Sequence, residues 1–142
     1  MGNRYFQISA QGKEVIIARI RDCLGKLSDL EFAYVHGSFI MEDQFRDIDV
    51  AVYLKTTPSS PLQAELDLET ELDGIVDKYP VDVRILNVAP LSFRYHVIRY
   101  GKPVAVVDDD ARCDFVELTL SHYFDFAPYR RMYLKEALGR GV

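Results

Sequence analysis

From residue 12 to 28 the apolar positions Val15, Ile16, Ile20, Cys23, Leu24 and Leu27 recur at helical spacing with charges between them, a pattern that predicts an amphipathic helix. The period then changes. Glu31 to His36 reads as a strand, and Asp47-Ile48-Asp49-Val50-Ala51-Val52-Tyr53-Leu54 as a second. Apart from its two acids the second is almost wholly apolar, as expected of a strand buried on both faces. Lys55 to Ser60 is the one extended polar, turn-rich stretch, and it leads into a helix start: Ser60 as N-cap, Pro61 at the first helical position, Gln63 completing a capping box. That helix should run to about Lys78, with Leu62, Leu66, Glu69, Leu72, Ile75, Val76 and Tyr79 turned toward a sheet. Val81 to Leu86 gives a third strand after Tyr79-Pro80. Pro90 to Tyr100 predicts another helix, Lys102 to Val107 a short strand, and residues 110–138 a long helical tail. Pro128 should kink or split that tail, since it has no N–H to donate to Phe124.

No repeat, low-complexity stretch or internal boundary interrupts this order, so 142 residues are expected to form one domain. The composition, 49% hydrophobic and 27% charged, is that of an ordinary soluble protein. A net charge of −5 argues against nucleic acid as a partner, because affinity for a phosphate backbone rests on basic patches. Cys23 and Cys113 form no Cys-x-x-Cys or cysteine and histidine cluster, so neither a disulfide framework nor a zinc site is expected. The N-terminus has no continuous apolar segment and no run is long enough to span a bilayer; a cytoplasmic protein with no membrane partner is the expectation.

The chemistry concentrates between Gly37 and Asp49. Successive side chains on a strand point to opposite faces, so Asp47 and Asp49 share one side while Ile48 points to the core. Two carboxylates on a rigid edge suit hard divalent cations, Mg²⁺ above all where phosphates complete the shell. The preceding Gly37-Ser38 supplies what a phosphate needs: close backbone approach, amides and a hydroxyl. Asp82 is again a lone acid in an apolar strand, with Arg84 two places on and so on its face. If the two acidic strands are neighbours, Asp82 completes a three-carboxylate cluster.

Gly-Ser, an Asp-x-Asp strand and a third acid on a later strand, in this order, resemble the minimal nucleotidyltransferase domain (MNT type) of the DNA polymerase β superfamily. The resemblance covers about residues 12–107 as catalytic core, with the helical tail of about 108–142 compatible. It implies an α/β fold: a small mixed sheet flanked by helices, with a C-terminal helical extension. It also implies transfer of a nucleoside monophosphate, AMP from ATP, to a hydroxyl. Asp47, Asp49 and Asp82 would be the catalytic residues and ligands of two Mg²⁺ ions, for which Mn²⁺ could substitute; Gly37, Ser38 and Arg84 would bind the nucleotide. MNT proteins are commonly the antitoxin halves of pairs with HEPN-domain toxins, so the implied acceptor is a tyrosine hydroxyl of such a toxin, in a hetero-oligomer. Two alternatives stay open: an antitoxin that inhibits by binding without catalysis, and a transferase for a small-molecule hydroxyl. The chain also departs from the family pattern. The spacer of eight residues between Ser38 and Asp47 is short, the small-Arg-Gly sequence that often follows Gly-Ser is missing, and Arg46 stands where a serine often precedes the first aspartate.

Weaker candidates read as structural. His36 fits a core histidine with its polar atoms satisfied, and His96 and His122 lie on predicted helices without ligand spacing. Glu42 and Asp43 read as solvated loop acids, and Asp108-Asp109-Asp110 as a helix cap. Phe115, Leu118, His122, Phe126, Tyr129 and Tyr133 form an aromatic stripe along the tail, with Tyr123 and Phe124 beside it; it reads as core, part of which faces a partner.

Overall fold

The two most apolar strands of the chain pair with each other and form the centre of the fold. The computed structural model describes the backbone of residues 4–138 and the side chains of residues 4–125. In chain order the elements are β1 (Phe6–Gln7), α1 (Ala10–Gly25), β2 (Leu30–His36), α2 (Ser38–Met41), β3 (Gln44–Phe45), β4 (Ile48–Leu54), α3 (Pro61–Val76), β5 (Val81–Ile85), a 3-10 turn (Leu86–Val88), α4 (Leu91–Tyr100), β6 (Lys102–Val106) and α5 (Asp109–Leu138). The main sheet has the order β5-β4-β2-β6. β2 runs antiparallel to both β4 and β6, while β4 and β5 are parallel, so the sheet is mixed, as expected.

Period-two alternation sorts the strands onto two faces. Ala33 and Val35 on β2 and Val50 and Val52 on β4 join the larger core, which includes Ile16, Ile20 and Leu24 of α1 and Leu68, Leu72 and Val76 of α3. The other face carries Phe32, Tyr34 and Ala51, packed with Leu86, with Val97 of α4 and with Phe115 of α5. Phe32 stacks on Tyr53 at 5.1 Å between ring centroids, and both rings meet Phe115. His36 and Asp49 end this second face.

Several boundaries and one phase differ from the sequence expectation. Ser9 accepts a hydrogen bond from the Gly12 amide at 3.0 Å, so α1 begins two residues before residue 12. Ser60 caps α3 as expected, accepting from the Gln63 amide, but the Gln63 side chain turns forward to Asp67 Oδ1 at 2.8 Å and does not close a capping box. The buried stripe of α3 is Leu68, Leu72 and Val76; Leu62 and Leu66 are exposed, Leu62 by 66%. The phase shift has a physical reason. β5 lies at the edge of the sheet, and its outward amides need acceptors. Glu69 accepts from the Val83 amide at 2.9 Å and Glu65 from the Ile85 amide at 3.0 Å. Glu69, expected on this face, and Glu65, not expected there, therefore occupy part of the sheet-facing surface in place of Leu62 and Leu66. At the opposite edge Arg21 Nε donates to the Val104 carbonyl at 2.6 Å.

α5 runs unbroken through position 128, so the split expected at Pro128 does not occur. Asp108 Oδ1 accepts from the Ala111 amide at 3.1 Å, and Asp109 and Asp110 occupy the first turn, which fits the cap reading. Of the aromatic stripe Phe115 is buried, whereas Leu118, His122 and Phe124 are exposed; Phe126, Tyr129 and Tyr133 lie outside the described side chains. Both cysteines are free thiols. Among the described residues no helix is long and apolar enough to cross a membrane.

Candidate functional site

β2 ends at His36, and the chain turns at Gly37 with φ 78° and ψ −161°, a backbone region open essentially to glycine alone. The turn also lacks room for a side chain, because a Cβ at Gly37 would collide with Asp49 Oδ2. Ser38 then opens the single turn of α2, whose amides at Ile40 and Met41 both bond the Gly37 carbonyl, at 3.1 and 3.0 Å. Nearby, Lys13 Nζ reaches the Glu42 carbonyl at 2.8 Å and lies 5.3 Å from the Phe39 ring centre, which ties the turn to α1. Glu42 and Asp43 are exposed, as expected of solvated loop acids.

The strand register brings the sequence-selected acids together. His36 pairs with Asp49 across β2 and β4, and Asp49 pairs with Asp82 across the parallel β4 and β5. Asp47 stands just ahead of β4. Arg84 shares the face of Asp82, as expected, and its Nε lies 3.5 Å from Asp82 Oδ2. Burial, then the neighbouring charges of Asp47 and Asp82, push the Asp49 carboxyl up to about 6, against the pull of Arg84. Asp49 thus sits where burial and two like charges outweigh the one nearby cation, Arg84.

His36 departs from expectation. It is buried with its ring edge-on to Phe93 at 5.4 Å, but its Nε2 has no hydrogen-bond partner. Burial lowers its pKa to about 4, helped by His96 and Arg84 and opposed by Asp82. The imidazole is neutral at physiological pH. Gly101 makes this packing possible: a Cβ there would sit 2.5 Å from the Val97 carbonyl and 3.2 Å from His36 Cβ.

The donor set suits a divalent cation in its chemistry: hard carboxylate oxygens on two adjacent strands and a like-charge excess that a cation would relieve. The expected cluster is nevertheless looser than a finished ligand set. Among the described residues no three His, Cys, Asp or Glu side chains are already gathered tightly enough to hold a metal. Like charges separate, and Asp82 leans to Arg84.

Cavities flank the acids. One of about 310 Å³ lies where β5 runs on toward α4, with Arg84, Val88, Pro90 and Phe93 in its wall. Another of about 410 Å³ includes Asp47 together with Arg4, Arg46 and Lys78, none of which periodicity singled out as a group. The signal that could have found them is the run of cations directly ahead of each acidic strand, Arg46 before Asp47 and Lys78 before Asp82. A third cavity of about 460 Å³, by Leu27, Leu54 and Leu68, lies at the far end of β4 from these acids and contains none of them.

Residues 18–110 match the family model described as polymerase beta, nucleotidyltransferase. No match is found among curated proteins. Among solved structures, a toxin–antitoxin crystallised with AMP-PNP is similar at 26% identity and a TM-score of 0.67, covering 89% of this chain and 98% of that one. The complex of a tri-AMPylated HEPN toxin with the MNT antitoxin from Shewanella oneidensis is similar at 24% identity and a TM-score of 0.63, covering 90% of this chain and 97% of that one. The toxin–antitoxin MntA–HepT is similar at 23% identity and a TM-score of 0.63, covering 92% and 99%. The last two likenesses speak for the fold.

Proposed function

Because the chain belongs to the polymerase β nucleotidyltransferase family, we propose that it transfers AMP from ATP to a tyrosine hydroxyl of a HEPN-domain toxin and thereby acts as that toxin's antitoxin, in a hetero-oligomer in the cytoplasm. The observation that carries this reading is the register of Asp49 against Asp82, with Gly37 pressed on Asp49. It supports the reading by setting Asp49 beside Asp82, with Asp47 two residues ahead of Asp49, near where β2 hands over to a glycine turn. The similar toxin–antitoxin crystallised with AMP-PNP supports a nucleotide as donor, and the AMPylated toxin of the Shewanella complex supports a protein hydroxyl as acceptor.

Asp47, Asp49 and Asp82 would hold two Mg²⁺ ions, or Mn²⁺ in their place. When bound, the ions supply charge neutralisation and Lewis acidity for an in-line displacement at phosphorus. Gly37 and Ser38 hold the β- and γ-phosphates, the glycine because its backbone approaches without a side chain. Asp82, on the β5 side, faces the acceptor and takes the hydroxyl proton. Arg84 steadies Asp82 at 3.5 Å and offers its remaining donors to phosphate oxygens. The acceptor oxygen forms a bond to the α-phosphorus, the bond from that phosphorus to the pyrophosphate oxygen breaks, and the proton passes by Asp82 to water.

Intact-mass spectrometry of a HEPN toxin co-expressed with this chain tests the reading. The toxin should gain whole AMP increments on a tyrosine, lose them when the partner is the Asp49→Asn variant, and stay inactive after the two proteins are separated. An unmodified toxin that Asp49→Asn still neutralises would establish inhibition by binding and defeat the catalytic reading.

A further inference from the structure

The cavity beside Asp47 is built from cations of three separate segments: Arg4 ahead of β1, Arg46 between β3 and β4, and Lys78 between α3 and β5. That convergence runs against the chain's net charge of −5. Its one acid is Asp47, so the cavity of about 410 Å³ opens onto the carboxylate site. We propose that this cavity binds a phosphodiester carried by the acceptor, so that an acceptor already bearing one nucleotide is held better than an unmodified one. The proposal rests on the transferase reading above.

The cations are held by a framework. β1 pairs with β3, Phe6 opposite Phe45, which carries Arg4 and Tyr5 alongside Arg46. The Arg46 guanidinium lies 6.0 Å from the Tyr5 ring centre. Phe6 meets Tyr79 edge-on at 4.8 Å, and Tyr79 also contacts Phe45 at 5.3 Å, so the floor under Lys78 and Pro80 is a packed aromatic cluster. The Ile48 amide donates to the Pro80 carbonyl at 2.9 Å, which joins the entries of β4 and β5.

The sheet order decides what the cavity faces. Gly37 and Ser38 follow β2, on one flank of β4; Lys78 and Pro80 precede β5, on the other. With the donor's terminal phosphates on the β2 flank, in-line displacement brings the attacking hydroxyl from the β5 flank. The cavity is therefore on the acceptor side. A tyrosine phenol carries no anion for three cations to bind. A tyrosine already joined to AMP carries a phosphodiester, and its ribose offers the next hydroxyl. In the second transfer that ribose oxygen bonds to the α-phosphorus of a new ATP, the bond to pyrophosphate breaks, and the hydroxyl proton leaves by Asp82 to water. Guanidinium and ammonium groups recognise such a phosphate oxygen by charge-assisted hydrogen bonds.

Calorimetry on the full chain tests this with two small probes, N-acetyl-tyrosine amide and its O-(5′-adenylyl) ester. The donor site is first saturated with α,β-methylene-ATP and Mg²⁺, so that the adenylyl group of the probe cannot occupy it. The adenylylated probe should bind the wild-type chain at least about tenfold tighter than the plain one, the scale of one charge-assisted contact. The Arg4→Gln/Lys78→Gln double variant, with its fold checked by circular dichroism, should lose that preference and keep its affinity for α,β-methylene-ATP. An affinity for the ATP analogue that falls in parallel would assign the cavity to the donor and overturn the proposal. A preference that is absent from the wild type, or that survives the double substitution, would overturn it as well. The analogue's own titration is separate: a wild-type chain that binds none of it would sink the transferase reading, and the same two probes titrated without analogue would still report on the cavity.

Discussion

Gly37 and Asp49 are fitted to each other: the glycine turns through φ 78°, and the Asp49 carboxylate occupies the space where a side chain at position 37 would be. Gly37→Ala should therefore cost stability twice, by about 1–3 kcal/mol of backbone strain and by the collision with Asp49. Thermal unfolding reads the total. Adding Asp49→Ala to Gly37→Ala should recover the collision part and leave the strain. Additive losses in the double variant would show that the two residues do not touch in solution.

Asp47→Asn and Asp49→Asn each remove one charge from a crowded acidic group and keep its volume. Nucleotide transfer should be abolished while the melting temperature at neutral pH stays level or rises, because Asp49 is already pushed up to about 6 by burial, Asp47 and Asp82. Calorimetry should find that ATP binds with Mg²⁺ or Mn²⁺ and fails to bind in excess chelator, since a triphosphate cannot approach three carboxylates without a cation between them. Equal ATP affinity with and without metal would remove these acids from the metal site.

The edge of the sheet supplies a third test. Glu69→Ala leaves the Val83 amide without its acceptor, which should destabilise the chain by about 1–3 kcal/mol, whereas Glu69→Gln keeps an acceptor oxygen and should lose much less. Chemical denaturation distinguishes them. Equal losses for the two would mean that the contact matters through charge or packing.

The legible parts of this chain were those where one residue type is out of place. Asp49 and Asp82 each interrupt an apolar strand, and that anomaly singled them out as candidates; that β4 and β5 are neighbours, left as a condition by the sequence, is met in the structure. The α3 helix misled for the same reason in reverse. Leu62 and Leu66 were assigned to the sheet and Glu65 was not, yet Glu65 faces β5 together with Glu69, because an edge strand can use carboxylates where an interior strand would need leucines. The β1–β3 ribbon was invisible, since strands of two residues carry no periodicity. With it went the convergence of Arg4 on Arg46 and Lys78, which exists only after three distant segments have folded. His36 was placed rightly in the core, but no pattern in one strand could reveal that its Nε2 would be left without a partner.

His36 and Asp49, paired across β2 and β4, should impose opposite pH dependences on stability. Asp49 is raised from 3.8 to about 6, so within that window the folded chain keeps a proton that the unfolded chain has released, and stability falls as pH rises. His36 is lowered from 6.5 to about 4; there the unfolded chain holds the extra proton, and stability rises with pH. The two contributions oppose each other between about pH 4 and pH 6 and largely mask one another in the wild type. Single substitutions should unmask them. Relative to wild type, His36→Phe, which keeps a ring against Phe93, should lose melting temperature as pH goes from 4 to 6, because only the Asp49 contribution remains. Asp49→Asn should gain over the same range, because His36 remains, and its neighbours His96, Asp82 and Arg84 are untouched. Melting curves at half-unit pH steps for the three proteins, read as differences from wild type, give the sign of each slope. Variants that run parallel to wild type would mean that neither group is perturbed, and a reversed sign for Asp49→Asn would mean that the Asp49 carboxyl is held below its ordinary value in the folded chain.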